Sequence, residues 1–210
     1  MPNRVAIVGI TGDPPTNGHL WLAQTAIAQG FDLVWLMPCY RHKYERVGNK
    51  RPTLVHHRYA MTTIAAASLN DKRIITSAYE ITKESDGSCY YTTISLREDY
   101  PDWEFTWVIG MDNAIHFDGW EQASALKAGF VPFLVCSRPG VVVPEGSHWF
   151  QKPPHRFVKG DFGVECSSTE FKKLYQAGDP RCADLVPPGV LEYIRLHSLY
   201  REGFYESQTA

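Results

Sequence analysis

Short apolar runs closed by glycine or proline recur along this chain, separated by longer stretches whose apolar positions fall three or four residues apart. Val5 to Val8 is the first run and reads as a strand buried on both faces. His19 to Gln29 reads as a helix stopped by Gly30, and Asp32 to Met37 as a second strand closed by Pro38. A helix from about Thr53 to Leu69 and a strand over Arg73 to Ser77 follow. Beyond a turn at Gly87, the pattern predicts a helix from Tyr91 to Tyr100, a strand from Glu104 to Ile109 and a helix from Glu121 to Lys127. Phe130 to Cys136 reads as another strand, where Pro132 suits only an edge or a bulge. Val141 to Gly160, with Pro144, Pro153 and Pro154, reads as an irregular surface excursion, either a lid or a plain insertion. Phe162 to Cys166 is a last short strand, and Ser168 to Ala177 and Val190 to Tyr200 are the closing helices.

Strands and helices therefore alternate. This predicts an α/β fold, Rossmann-like and doubly wound, with a mostly parallel sheet and helices on both faces. The expected organisation is a single domain over 1–210 with a small helical part from about 168 to 200. In such a sheet ligands bind beyond the carboxyl ends of the strands, so the candidate chemistry is sought in the loops there.

Composition narrows the partners. A net charge of −2 with balanced signs suggests neither a nucleic-acid coat nor a membrane surface. The five cysteines, Cys39, Cys89, Cys136, Cys166 and Cys182, are widely spaced and form no CxxC pair, which favours reduced thiols over structural zinc. No charged-then-apolar leader precedes the first strand and no apolar run nears the ~20 residues of a membrane span, so a soluble, cytoplasmic protein is expected.

Four loop segments carry candidate chemistry. Gly9 to Leu20 (GITGDPPTNGHL) packs three glycines and two prolines between a strand and a helix. Gly18 would let a phosphate approach the helix start, where free N–H groups and the dipole attract anions. The spacing is neither GxGxxG nor GxxxxGK[ST], and a plain turn capped by Thr16 or Asn17 fits equally well. Arg41-His42-Lys43 is either a phosphate grip or a solvated charge run. Asp112, after the strand EFTWVI, could accept ribose hydroxyls or cap Asn113 to Phe117, and Trp120 could stack on a flat ring or simply pack. Ser167 and Glu170 have capping-box spacing, while Ser167, Ser168, Thr169 and Lys172 together could make a second phosphate cradle.

Taken in order, these fragments resemble the nucleotidyltransferases with the (H/T)xGH signature, specifically the nicotinate or nicotinamide mononucleotide adenylyltransferases. Gly9 to His19 resembles their GxFDPxHxGH turn, Pro38 with His42-Lys43 their PxxxPHK, and His57 to Met61 their HRxxM. Tyr91-Thr92 with Leu96 is similar to YTxxTL, and Ile109 to Trp120 to IGxDxxxxxxxW. Ser137 to Gly140 matches SRPG, Ser167 to Lys172 resembles SSTxIR, and Val186 to Tyr200 resembles VPxxVxxYIxxxxLY. Gly12, Thr16 and Lys172 depart from the pattern, standing where Phe, His and Arg are usual. Thr-Asn-Gly-His and a final Lys also recur in the pantetheine-phosphate adenylyltransferases, which are shorter and lack the SRPG and VLEYI-type segments.

The resemblance implies attack by a mononucleotide 5′-phosphate on the α-phosphorus of ATP. It implies His19, Lys43 and Lys172 as catalytic residues. ATP would meet Gly9, Ile10, Thr11, Thr16, Gly18, His19, Asp112, Arg138, Ser167, Ser168 and Thr169. The mononucleotide would meet Lys43, Tyr91, Thr92 and Trp120. Magnesium is expected to arrive on the ATP phosphates, with no metal site in the protein. The implied partners are ATP and a pyridine mononucleotide, without nucleic acid or membrane, and a homo-oligomer stays open. The motif set sits nearest the bacterial type, which favours nicotinate over nicotinamide.

Overall fold

The computed structural model describes residues 3–41, 52–137, 141–143, 145–160 and 166–201. Its framework is a six-stranded sheet of β1 (Asn3–Ile10), β2 (Leu33–Pro38), β3 (Ile74–Thr76), β4 (Trp103–Gly110), β5 (Phe133–Cys136) and β6 (Arg156–Val158). The strand order is β3-β2-β1-β4-β5-β6, and all five pairings are parallel. The expected mostly parallel sheet is thus parallel throughout its described strands. Register is fixed by apolar pairs such as Ile7 opposite Trp35 on one side and Trp107 on the other.

Helix α1 (Asn17–Ala28) joins β1 to β2, and α2 (Val55–Ser68) precedes β3. Short α3 (Tyr79–Thr82) and longer α4 (Cys89–Asp99) lead to β4, and short α5 (Met111–Ile115) and α6 (Ala123–Lys127) lead to β5. The chain then runs through α7 (Ser168–Gln176) and α8 (Pro188–Leu196). The alternation of side chains along β1 divides the core between the two sheet faces. Ala6, Val8 and Ile10 pack with α1, α2, α7 and α8, whereas Val5 and Ile7 pack with Leu96, Trp107 and Phe117. Phe171, Val190, Ile194 and Tyr200 belong to the first of these cores, so the C-terminal helices are built onto the sheet.

Most elements lie within two residues of their predicted positions. The last strand does not. β6 falls inside the segment expected to be irregular, whose three-residue length offers too little periodicity to read, and the strand expected over 162–166 lies, but for Cys166, outside the described residues. Pro132 precedes β5 and offers its carbonyl to the Trp107 N–H, so it costs the ladder no donor. The last helix stops at Leu196 because Ser198 and Tyr200 take φ of 53° and 64°, outside the helical region. Among the described residues no helix is long and apolar enough to cross a membrane.

Candidate active site

A cleft of about 1000 Å³ opens at the carboxyl ends of β1, β2, β4 and β5. It sits where strand order turns from β1 towards β2 on one side and β4 on the other, the crevice where doubly wound sheets bind ligands. Gly9, Ile10, Thr11, Thr16, Gly18, His19, Asp112, Trp120, Ser167, Ser168, Thr169 and Lys172 all line it. His42, Lys43 and Arg138 lie outside the described residues.

Two helix starts meet here. At Gly18, in the first turn of α1, an added Cβ would stand 3.2 Å from Cys166 Sγ, just before α7. The Ser168 hydroxyl donates to the Pro14 carbonyl at 2.8 Å and ties α7 to the opening turn. Ser167 is the N-cap of α7, its Oγ accepting the Glu170 N–H at 3.1 Å. The Ser168 hydroxyl is therefore committed to structure, and any anion held at α7 meets chiefly backbone N–H groups.

Thr16 caps α1 and His19 is its third residue. The Thr16 backbone N–H donates to His19 Nδ1 at 2.9 Å, and Thr16 Oγ1 lies 3.0 Å from the same nitrogen. An N–H can only donate, so Nδ1 is an acceptor and the neutral ring carries its proton on Nε2. The tautomer left open by the sequence is thereby decided. Thr16 itself is 1% exposed, its hydroxyl faces His19, and it borders the cleft beside the imidazole.

Lys172 donates to Asp13 Oδ2 at 2.5 Å, and its Nζ lies 4.9 Å from the Tyr200 ring centroid. Asp112 falls in the first turn of α5, whose N-cap is Gly110, so it is not the cap envisaged for Asn113 to Phe117. Trp120 stacks on Phe117 with centroids 4.6 Å apart and also borders the cleft.

Two of the expected contact residues sit apart from those lining the cleft. Tyr91 is an exposed residue of α4 that does not line the cleft. Thr92 is buried and its hydroxyl donates to Glu80 Oε1 at 3.0 Å. Helix α4 begins two residues before the expected start, and Ser88, Cys89 and Glu80, the acceptor of the Thr92 hydroxyl, line the cleft. Periodicity alone could not set that start, because CYYTTIS carries no strong apolar stripe.

Several residues that shape the site carry no local signal of what they hold. Arg58 is 2% exposed and bonds the carbonyls of Thr11, Cys39, Tyr40 and Thr53, clamping the loops after β1 and β2. Burial pushes the Glu80 carboxyl up to about 7, against the opposing Thr92 bond and Arg58 charge. Burial likewise pushes the Cys39 thiol up to about 11, which makes it a neutral wall of the cleft and no nucleophile. The HRxxM resemblance pointed at Arg58 without saying what it holds.

The sequence model of the Cytidylyltransferase-like family matches residues 9–174. A protein of Salinibacter ruber described as a probable nicotinate-nucleotide adenylyltransferase is 30% identical over 200 residues, covering 94% of this chain and 97% of that one. The nicotinate-nucleotide adenylyltransferase of Bacillus subtilis is 27% identical over 199 residues, covering 94% and 98%. Among solved structures, the Plasmodium falciparum nicotinic acid mononucleotide adenylyltransferase complexed with NaAD superposes with a TM-score of 0.77 at 20% identity, covering 94% of this chain and 97% of that one. With the switch-point cleft, the paired helix starts and a family match over most of its length, this chain belongs to the Cytidylyltransferase-like family.

Proposed function

We propose that this protein transfers the adenylyl group of ATP to nicotinate mononucleotide and releases pyrophosphate, a step of NAD biosynthesis. The observation that carries this reading is the meeting of the α1 and α7 N-termini at Gly18 and Cys166, with His19 and Lys172 in the same cleft. The activities ascribed to the Salinibacter and Bacillus relatives support the same chemistry. The neighbour bound to NaAD supports nicotinate as the ring.

In this reaction an oxygen of the mononucleotide 5′-phosphate attacks the α-phosphorus. The bond from that phosphorus to the β-phosphate oxygen breaks, and its electron pair leaves with pyrophosphate. The nucleophile is already an anion at neutral pH, so the protein supplies position and charge and needs no general base. His19 would donate Nε2–H to an α-phosphate oxygen, aimed by the Thr16 N–H on Nδ1. Lys172 would add a point charge on the polyphosphate, and the N–H groups at α1 and α7 would receive its oxygens. Asp112 suits the ribose hydroxyls, and Trp120, with Phe117 behind it, suits a flat pyridine ring. Lys43 and Arg138 keep the roles their motifs imply. Magnesium enters as part of Mg–ATP, on phosphate oxygens and water.

The test is pyrophosphate release by the purified protein with Mg–ATP, offered nicotinate mononucleotide, nicotinamide mononucleotide and phosphopantetheine separately. Release with nicotinate mononucleotide in clear preference is expected. Release with phosphopantetheine alone, or none with any acceptor, overturns the reading. His19→Ala is expected to lower kcat by about 10²–10³ with a smaller change in KM, the pattern of a lost donor to transition-state charge.

A further inference from the structure

Asp13 puts a carboxylate into a cleft suited to polyphosphate, and its surroundings explain how that is tolerated. The residue is 5% exposed. Oδ2 accepts Lys172 Nζ at 2.5 Å, while Oδ1 accepts the Tyr200 hydroxyl at 2.8 Å and the Thr53 N–H at 3.3 Å. Both oxygens are engaged, and their charge is shared among three donors.

Tyr200 is fixed from several sides. It is fully buried, its ring meets Phe171 edge-on at 6.2 Å, and its carbonyl accepts Gln176 Nε2–H at 3.1 Å. Its φ of 64° turns the chain away from the α8 direction. A phenol from beyond α8 is thus held rigidly behind a side chain of the opening turn. The same ring lies 4.9 Å from the Lys172 ammonium, so it touches both members of the ion pair.

We propose that Tyr200 is a positioning residue for Lys172: through Asp13 and through its ring face, it fixes where the ammonium stands and how much of its charge is left for polyphosphate. This rests on the reading of Lys172 given above. A lysine ammonium is a compact charge on a flexible stem, without the planar fork that pre-organises an arginine, so its aim has to come from its neighbours. Asp13 supplies the tether. The Tyr200 and Thr53 donors weaken the carboxylate's hold, so the ammonium is aimed without being neutralised. Removing the Tyr200 hydroxyl returns charge to Asp13, which then grips Lys172 harder and draws the ammonium away from polyphosphate.

Tyr200→Phe keeps the ring and its packing and deletes only the hydroxyl. It is expected to raise KM for Mg–ATP about fivefold, leave KM for the mononucleotide unchanged and alter kcat less. The decisive measurement is the double-mutant cycle with Lys172→Ala, because residues acting through one another are non-additive. In the Lys172→Ala background the Tyr200→Phe effect is expected to vanish, whereas a purely structural defect persists in both backgrounds. An unchanged KM for Mg–ATP in Tyr200→Phe, or an undiminished penalty in the double variant, overturns the proposal. A wild-type KM for Mg–ATP in Lys172→Ala overturns the polyphosphate role of Lys172 itself, a failure recognisable from that single variant. A thermal melt checks that Tyr200→Phe is folded. Should it not fold, the cycle of Asp13→Asn with Lys172→Ala reads the Asp13–Lys172 link through which Tyr200 acts, with additivity as the refuting result.

Discussion

Replacing Arg58 by methionine keeps a long, unbranched stem in the core but withdraws the guanidinium that holds the cleft loops. In the native protein Nε donates to the Thr53 carbonyl at 2.9 Å, Nη1 to those of Thr11 at 2.8 Å and Cys39 at 2.6 Å, and Nη2 to Tyr40 at 2.9 Å. At about 1.5 kcal/mol for each bond to a charged donor, these amount to about 6 kcal/mol gross. Burying the ion costs several kcal/mol that the methionine variant recovers, so the net loss is about 3 kcal/mol. For a chain of this size that corresponds to a fall in Tm of roughly 10 °C. Urea unfolding followed by far-UV circular dichroism, with steady-state kinetics on the folded variant, measures both consequences. Kinetics should suffer as well, because Thr11 and Cys39 line the cleft and lose their common anchor. Arg58→Lys should recover only part of either property, since one ammonium cannot serve carbonyls in three directions. A loss below about 1 kcal/mol with unchanged KM for both substrates would show that the four bonds are incidental.

Three further outcomes follow from burial. Glu80 has its carboxyl pushed up to about 7 by burial, so between roughly pH 4.5 and 7 the folded protein keeps a proton the unfolded chain has lost, and stability falls as pH rises through that window. Glu80→Gln should flatten this slope and be more stable near pH 8 by up to about 3 kcal/mol, and parallel unfolding curves for the two proteins would refute it. His155 has its pKa lowered by burial, opposed by its bond to the Lys127 carbonyl, so stability should be lost as pH falls below about 6.5, where the unfolded ring gains a proton and the folded one does not. His155→Gln should remove that acid-side component in the same titration, and its persistence would point to other groups. Gly9→Ala places a Cβ 2.8 Å from Trp107 Cζ3, whose indole N–H donates to Thr93 Oγ1 at 2.9 Å, and should cost about 1–3 kcal/mol with a change in tryptophan fluorescence. Unaltered emission and stability would mean that Trp107 yields freely.

The sequence determined those features whose cause is local. Strands β1, β2, β4 and β5 were legible because their apolar runs end at glycine, proline or polar residues, and from their alternation with helices came the parallel sheet and the cleft's location. Gly9, Gly18, His19, Asp112 and Ser167 reach that cleft because each ends a strand or opens a helix, positions the order of elements already fixes. Tertiary structure alone decided what those residues bond to. Tyr200 finds Asp13 across 187 positions and Arg58 finds Thr11 across 47, and no periodic pattern encodes either pairing. The bond from the Thr92 hydroxyl to the buried Glu80 carboxyl also joins α4 to α3, a pairing no local pattern encodes. The His19 tautomer likewise depends on the backbone N–H at Thr16 being directed at the ring by the first turn of α1. The physical reason is common to all of these. A buried polar group must find a partner, and which partner is available depends on how distant segments pack, whereas strands and helices follow from the residues immediately beside them.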